Sequence, residues 1–444
     1  MAPDHDPNAA GPPPPSLLAV SFAFPPLAYP RSVQVARLLK RLAAPTALVC
    51  ADERGARRDE TIERDAEGRL AHLARVPFAP GRLRREANRL ARRLRPALWD
   101  RWNQSPDQYL GWVPGAVEAA EGLSRRGFRP EALATFSQPA TSHLVGLELK
   151  GRWGLPWVAH FSDPWVGNPY HRREGEVARV NAELERRVVE SADRLVFTSQ
   201  ETVELVMSNY PAGLASKARV LPQCFDESQY GAPPGAAGGR APARPGEAGV
   251  PAGGPELIVR HLGTFYGQRS PSHLFRAVAA LAESDPSALE GVRFEFNGLS
   301  GFDVLRDAGG DRLPAGLLAV GPAVPYLDSL SLMRSADGLL ILDAPAERSV
   351  FLPSKLIDYA GADRPVLGLT PEGAAASLIR RLGGWVADPG DTPRSAEALA
   401  SFVAFLRARR DRRDEPWGDP SVRAEYEAAR LAARFDEILK ELTR

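Results

Sequence analysis

The most distinctive chemical feature of the sequence is a set of groups suited to binding an anion near residue 355. Pro353-Ser354-Lys355-Leu356 precedes a helical pattern that continues to Ala360. Proline fits the first turn of a helix, where its missing N–H costs nothing, so we predict that the amides of Ser354, Lys355 and Leu356 point out of a helix N-terminus. Such amides bind phosphate groups, and Lys355 adds a formal charge. The alternative is an exposed helix start with a solvated lysine.

A second anion-binding segment is predicted where the apolar strand 257–262 ends. Gly263 and Thr264 follow that strand, and a glycine at such a turn lets the backbone approach a phosphate closely. Arg269, a few residues later, offers a planar guanidinium to phosphate oxygens. The alternative for Arg269 is an ordinary surface arginine, because arginine is mostly exposed in folded proteins. His261, on the strand itself, is interpreted as a packed core or cleft-wall residue.

A histidine and a carboxylate come near the end of another apolar run, 157–161. They are His160 and Asp163 in the sequence HFSDPW, with Trp165 at its end. Either side chain can orient or deprotonate a hydroxyl, or stabilise positive charge on a substrate. We predict Asp163 as the first candidate for a catalytic group and His160 as the second. In the alternative, Asp163 only forms a turn before proline and His160 only packs.

These segments need a scaffold that brings strand ends together. Apolar strands alternate with helix-length segments, a pattern typical of parallel sheets covered by helices on both faces. In such sheets, ligands bind beyond the carboxyl ends of the strands. We therefore predict two α/β domains, 17–226 and 256–400, with the site in the cleft between their sheets. A disordered tail (1–16), a Gly/Pro/Ala-rich linker or insertion (227–255) and C-terminal helices that pack back on the domains (401–444) complete the chain.

Composition excludes several classes of protein. Of 444 residues, 56 are Lys or Arg and 55 are Asp or Glu, so the net charge of +1 gives no attraction of the whole chain to nucleic acid. The two cysteines cannot form a disulfide framework or, alone, a structural zinc site, which favours a reducing compartment. The first apolar stretch, 17–28, is interrupted by prolines and lacks the basic flank of a signal peptide. No uncharged apolar run reaches the roughly 18 residues needed to span a bilayer, and we expect a cytoplasmic protein.

Several of these segments together resemble glycosyltransferase family 4, whose members are nucleotide-sugar enzymes of the GT-B fold. The resemblance follows family order across nearly the whole chain outside the tail and linker. It is carried by VSFAFPP with VARLLKRL, LPWVAHFSDPWVGNPY, ERRVVESADRLVFTSQETVELV, LIVRHLGTFYGQRSP and ADGLLIL with LPSKLIDYAGADRPVLGL. Each motif alone is unspecific, whereas the set is specific.

The resemblance implies two Rossmann-like domains facing each other across a cleft and metal-independent transfer of a sugar with retention at the anomeric carbon. It implies a nucleotide-sugar donor as substrate, no cofactor and no bound metal. The acceptor, a glycan or a lipid-linked molecule, would bind to the N-terminal half. The implied donor-binding residues are Gly263, Thr264, Arg269, Ser354, Lys355, Leu356 and Asp358. The candidate acceptor-binding residues are Tyr29, Arg31, Ser137, His143 and Trp165.

The sequence departs from the family pattern in three places that concern substrate contacts. Asp358 stands where the family usually has a glutamate that binds the ribose hydroxyls, and Val350 stands where it has another that contacts the donor sugar or its phosphates. Glu347 and Arg348 lie near enough in sequence to substitute for that second glutamate. The first loop, AFPPLAYPR, lacks the Gly-Gly common in the family. We therefore expect Tyr29 or Arg31 to make the substrate contact instead.

The basic segment 81–102 has leucines at near-helical spacing. One interpretation is an amphipathic helix resting on anionic lipid, which allows peripheral membrane contact at the inner face of the membrane. The other, which we favour, is the solvated face of an ordinary domain helix.

Two other functions remain open from the sequence. A nucleotide-sugar epimerase on the same fold would need acid and base groups acting on the donor, and no paired carboxylates are placed for that role. A catalytically silent nucleotide-sugar-binding or scaffold protein is kept open by Val350.

Overall fold

The computed structural model describes residues 13–62, 68–79, 90, 93–94, 105–169, 174–231, 257–265, 268–298, 304–413 and 415–443, without the side chains of residues 304 and 305. The chain divides into two compact units. The first comprises Met1–Pro222 and Ala428–Arg444, and the second comprises Gln223–Glu427.

The boundaries of these units differ from the sequence-based ones for a local reason. The amide of Phe225 donates to the carbonyl of Tyr426 at 3.0 Å, so the residues after Pro222 pair with the second unit. The predicted C-terminal segment 401–444 is divided between the units, because its last helix belongs to the first unit.

The first unit is built on a seven-stranded parallel sheet with strand order β3-β2-β1-β4-β5-β6-β7. Its strands are β1 (Leu17–Ser21), β2 (Thr46–Glu53), β3 (His72–Phe78), β4 (Ala132–Phe136), β5 (Trp157–Phe161), β6 (Arg194–Phe197) and β7 (Ala218–Val220). Its described α-helices are α1 (Pro30–Arg41), α2 (Val113–Arg125), α3 (Thr141–Trp153), α4 (Gly175–Ser191), α5 (Gln200–Met207) and, at the C-terminus, α13 (Ala428–Thr443).

The second unit is built on a six-stranded parallel sheet with strand order β10-β9-β8-β11-β12-β13. Its strands are β8 (Leu257–Leu262), β9 (Val292–Asn297), β10 (Leu318–Gly321), β11 (Gly338–Leu342), β12 (Val366–Leu369) and β13 (Trp385–Ala387). Its described α-helices are α6 (Ser272–Ser284), α7 (Val304–Asp307), α8 (Tyr326–Arg334), α9 (Ser354–Ala362), α10 (Ala374–Arg381), α11 (Thr392–Ala408) and α12 (Pro420–Ala424).

The central strands are buried along their whole length. Every residue of β1, β4, β5, β8 and β11 is buried, as expected of parallel strands covered on both faces. Helix α3 approaches the sheet closely because Gly146 has no side chain. A Cβ there would lie 2.5 Å from Thr135 and 2.6 Å from Trp157. The prediction of two parallel-sheet α/β domains is confirmed.

The strand orders decide which loops lie side by side. In the first unit β1, β4 and β5 are neighbours, and Phe136 pairs with His160 at the carboxyl ends of β4 and β5. In the second unit β8 lies between β9 and β11, so the loops after Leu262, Asn297 and Leu342 share one edge of the sheet.

The basic segment 81–102 falls outside the described residues except at positions 90, 93 and 94. Leu90 and Leu94 are 58% and 66% exposed. Among the helices that the structure describes, none combines the length and the apolar character needed to cross a membrane.

Candidate functional site

Helix α9 begins at Ser354, one residue later than the sequence pattern suggested. Pro353 has an extended conformation (φ −60°, ψ 133°) and is the N-cap residue rather than the first residue of the helix. The prediction that Leu356 presents a free amide is wrong, because this amide donates to the Pro353 carbonyl at 3.0 Å. The first helical amides, those of Ser354 and Lys355, have no acceptor within the helix, as in any α-helix, and they remain available to an anion.

The Lys355 ammonium group is held between a histidine and a glycine. Its Nζ lies 3.2 Å from Nε2 of His261. A Cβ added to Gly263 would come within 2.4 Å of Nζ, so the lysine occupies the space that a side chain at this position would need. Gly263 also has φ +137°, a conformation that side-chain-bearing residues rarely adopt. The two predicted anion-binding segments therefore meet at the carboxyl end of β8.

The pKa of Lys355 is shifted toward neutral pH. Burial, and secondly the Arg269 guanidinium, lower the pKa of Lys355 to about 7, against the opposing effect of the Asp343 and Asp358 carboxylates. Arg269 and Lys355 are thus close enough to repel each other. An anionic ligand beside both groups would favour the charged form of Lys355.

Arg269 is fixed by a buried carboxylate that sequence reasoning missed. Its guanidinium lies 2.8 Å from Asp343, which follows β11 and is 2% exposed. The second oxygen of Asp343 accepts a hydrogen bond from Thr370 Oγ1 at 3.0 Å. The signal in the sequence was the position of Asp343 directly after a predicted buried strand, next to β8 in the sheet.

Asp358, the predicted ribose-binding residue, lies in α9 and is 6% exposed. Its Oδ1 accepts a hydrogen bond from the Tyr326 hydroxyl at 2.9 Å, and its carbonyl accepts one from Tyr230. The ribose contact stays a prediction. Tyr326 was not predicted; it lies at the start of α8 and orients the Asp358 carboxylate.

Ser354, Thr264 and the neighbourhood of Val350 lie at the surface of the second unit. Thr264 is exposed, Ser354 and Val350 are half-buried, and Glu347 and Arg348 are exposed. Their contacts with a donor sugar stay predictions.

In the first unit, the catalytic candidates surround a buried arginine. The Arg31 guanidinium lies 3.0 Å from Nδ1 of His160 and 5.6 Å above the centre of the Phe136 ring. Burial lowers the pKa of Arg31 to about 9, and the Asp163 carboxylate opposes that shift. Arg31, His160 and Asp163 therefore form one electrostatic cluster at the carboxyl end of β5.

His160 is a neutral histidine in this cluster. Burial, then the charge of Arg31 and then His143, hold the pKa of His160 well below its usual range. Ser137 joins the same place, since its hydroxyl donates to the His160 carbonyl at 3.4 Å. The structure thus brings Arg31, His160, Asp163 and Ser137 together, and their roles toward an acceptor stay predictions.

The remaining acceptor candidates have contacts within the unit. The Tyr29 hydroxyl donates to Glu53 at 2.8 Å and is half-buried. His143 is fully buried, and its Nδ1 lies 2.7 Å from Thr135 Oγ1. Trp165 is 3% exposed and donates from Nε1 to Asn181. The burial of His143 and Trp165 favours packing roles over contact with an acceptor.

Comparisons with known proteins identify the fold. No protein-family model and no curated protein matches the sequence. Among solved structures, OtsA matches with TM-score 0.63 and 15% identity over 96% of this chain and 99% of that one. HepE from Anabaena in complex with UDP and glucose matches with TM-score 0.56 and 15% identity over 96% and 100%. A UDP-N-acetylglucosamine 2-epimerase structure from Listeria monocytogenes matches with TM-score 0.57 and 11% identity over 96% of both chains.

The fold is that of the GT-B glycosyltransferases. OtsA and HepE are GT-B glycosyltransferases, whereas the Listeria structure carries the name of a UDP-N-acetylglucosamine 2-epimerase. At these identities the likeness establishes the fold, and the function has to be argued from the site.

Proposed function

We propose that the protein is a retaining glycosyltransferase of family 4 type that moves a sugar from a nucleotide-sugar donor to a hydroxyl of a glycan or lipid-linked acceptor without a metal ion. The observation that carries this proposal is that two cations, Lys355 and Arg269, lie near each other beside Gly263 and the N-terminus of α9. The HepE complex with UDP and glucose, on the same fold, supports a nucleotide sugar as the ligand.

The second unit supplies what a diphosphate leaving group requires. Breaking the glycosidic bond places negative charge on a phosphate oxygen, which preorganised donors and cations stabilise most when they need not move. Arg269 is held by Asp343, Lys355 is held by His261, and the amides of Ser354 and Lys355 are oriented by the helix. In this proposal these groups stabilise the negative charge of the diphosphate leaving group, a task that a metal ion performs in other enzymes.

The first unit supplies groups for the acceptor. In this proposal the Asp163 carboxylate orients or deprotonates the acceptor hydroxyl, beside the positive charge of Arg31. Asp358 would bind the ribose hydroxyls of the donor, since a carboxylate accepts two hydrogen bonds at once.

The direct test is a donor and acceptor screen with purified protein. We expect release of a nucleoside diphosphate that requires both substrates, continues in EDTA and yields a glycoside with the anomeric configuration of the donor. Arg269→Ala and Lys355→Ala should each slow transfer by about 10²-fold or more. Arg394→Ala, a matched control on the surface of the same unit with a 79% exposed side chain, should leave the rate unchanged.

Other outcomes of the same screen identify the competing functions. Conversion of the donor to an epimer without an acceptor would identify an epimerase. Tight binding without turnover of any donor would identify a silent binding protein. A glycoside of inverted configuration, or loss of activity in EDTA, would contradict the proposed mechanism.

A further inference from the structure

Two polar side chains lie on the buried face of helix α4, a position that apolar residues usually occupy. Asn181 is 1% exposed and Glu185 is fully buried, and the helix also buries Val188 and Val189. Burying a carboxylate costs free energy unless hydrogen bonds or charges compensate it. The Tyr210 hydroxyl donates to Oε1 of Glu185 at 2.8 Å, and the remaining contacts of the two side chains show what the helix holds in place.

Both side chains accept hydrogen bonds from the segment that follows β5, residues 162–168, which we call the β5 loop. The amide of Val166 donates to Oε2 of Glu185 at 2.8 Å. The Nε1 group of Trp165 donates to Oδ1 of Asn181 at 2.6 Å. Helix α4 therefore fixes the backbone of the β5 loop at Val166 through a buried carboxylate.

The beginning of the β5 loop is held from the neighbouring strand. Thr198, the residue after β6, is 2% exposed, and its hydroxyl donates to the Ser162 carbonyl at 3.0 Å. Ser162 in turn donates from Oγ to Oδ2 of Asp163 at 3.3 Å. Asp163 therefore lies between two anchored backbone groups, the carbonyl of Ser162 and the amide of Val166.

We propose that Glu185 is a positioning residue that fixes the β5 loop and thereby holds the Asp163 carboxylate in place for the reaction. Side chains on loops are placed less accurately than those on strands and helices unless neighbouring residues support them. An error of about 1 Å in the placement of a reacting group can lower a rate about 10²-fold. Because Glu185 is fully buried, it acts through the loop and not on a substrate. The proposal rests on the proposed role of Asp163 in glycosyl transfer.

The test compares two substitutions of Glu185 in the full chain. Glu185→Gln can keep both hydrogen bonds, because its amide oxygen can accept from Val166 and its NH₂ group can donate to the Tyr210 hydroxyl oxygen. Glu185→Leu removes both acceptor oxygens. We expect kcat to fall about 10²-fold in Glu185→Leu with an unchanged KM for the donor, and to stay within about 10-fold of the wild type in Glu185→Gln. Glu183→Leu, at a glutamate of the same helix with a 53% exposed side chain, is the matched control and should behave as the wild type.

A double-mutant cycle with Asp163→Asn distinguishes positioning from general damage to the fold. If Glu185 acts through Asp163, Glu185→Leu should lower kcat only about 2-fold further in the Asp163→Asn background. A loss of the same size in both backgrounds would overturn the proposal, and so would a loss in Glu185→Gln as large as that in Glu185→Leu. Should Glu185→Leu alone fail to fold, its combination with Tyr210→Phe also removes the hydroxyl that loses its acceptor and serves in the same cycle.

Hydrogen exchange tests the anchoring of the β5 loop without any activity. The Val166 amide is hydrogen-bonded to Glu185, so peptides that cover residues 162–168 should exchange faster in Glu185→Leu than in Glu185→Gln or Glu183→Leu. Equal exchange in all of these variants and the wild type would overturn the proposal. Absence of transfer by the wild type with every substrate would instead refute the proposed function, and the exchange measurement would still show whether Glu185 holds the loop.

Discussion

The lowered pKa of Lys355 predicts that nucleotide binding weakens as pH rises above neutrality. In the free protein, burial and Arg269 lower the pKa of Lys355 to about 7. A diphosphate placed beside the ammonium group favours its charged form, so binding raises this pKa again. The ligand therefore binds preferentially to protein in which Lys355 is protonated, and deprotonation before binding reduces the apparent affinity.

The size of the effect follows from the protonated fraction. With a pKa of about 7, about half of Lys355 is charged at pH 7 and about 1% at pH 9, so the apparent Kd should rise about 50-fold between these values, equivalent to about 2.3 kcal/mol. The phosphates of UDP add no slope of their own in this range, since the last phosphate pKa is about 6.

The assay is isothermal titration of the protein with UDP from pH 7 to 9 at constant ionic strength. Repeating the titration at pH 8 in buffers of different ionisation enthalpy measures proton uptake, which should approach one proton per UDP bound. Lys355→Met should bind UDP weakly at every pH, and its Kd should not change with pH. Lys440→Met, which removes a partly buried lysine in the other unit, should keep the wild-type slope.

Two results would refute this reasoning. An affinity that does not change from pH 7 to 9 would show that Lys355 is not the group that titrates or does not contact the phosphates. A slope that persists in Lys355→Met would assign the titration to another residue.

Three further substitutions test the positioning of these groups and the packing beneath them. Asp343→Asn should lower the free energy of unfolding in urea by about 3 kcal/mol, because it breaks a buried ion pair. It should also raise the KM for the donor, because Arg269 loses the carboxylate that holds it. Wild-type stability would contradict a stabilising role of this ion pair. Gly263→Ala should weaken UDP binding at least about 10-fold, since the new methyl group displaces the Lys355 ammonium and the backbone is strained, and unchanged affinity would remove Lys355 from the site. Gly146→Ala should lower stability by about 1–3 kcal/mol without changing substrate KM, because the methyl group overlaps side chains of β4 and β5; thermal unfolding measures it, and an unaltered midpoint would show that α3 moves freely.

The parts of the fold that follow from local pattern were predictable. Buried strands such as β1 and β8 are short apolar runs, and their alternation with helices decides the parallel arrangement. The pairing of Gly263 with Lys355 was also within reach, because parallel strands bring their carboxyl-end loops to one edge.

Contacts between distant segments were not predictable from local pattern. The ion pair of Arg269 with Asp343 depends on β8 lying beside β11, two strands far apart in the chain. The bond between Arg31 and His160 likewise depends on the approach of α1 to the end of β5. The Leu356 amide was assigned wrongly because the Pro353 residue is extended and its carbonyl accepts a hydrogen bond from the Leu356 amide. Residue types alone do not encode this detail.

Helix α13 makes the first unit discontinuous in sequence. Its Asp436 accepts hydrogen bonds from the amides of Ala43 and Ala44, which follow α1, at 2.8 and 3.3 Å. Phe435 packs on Phe136, with ring centres 6.1 Å apart. The second unit is thus an insertion in the sequence of the first unit, and both of its ends are covalently joined to the first unit. To express the two units separately, residues 428–443 must be joined to a fragment that ends at residue 222, because simple truncation would remove helix α13 from the first unit.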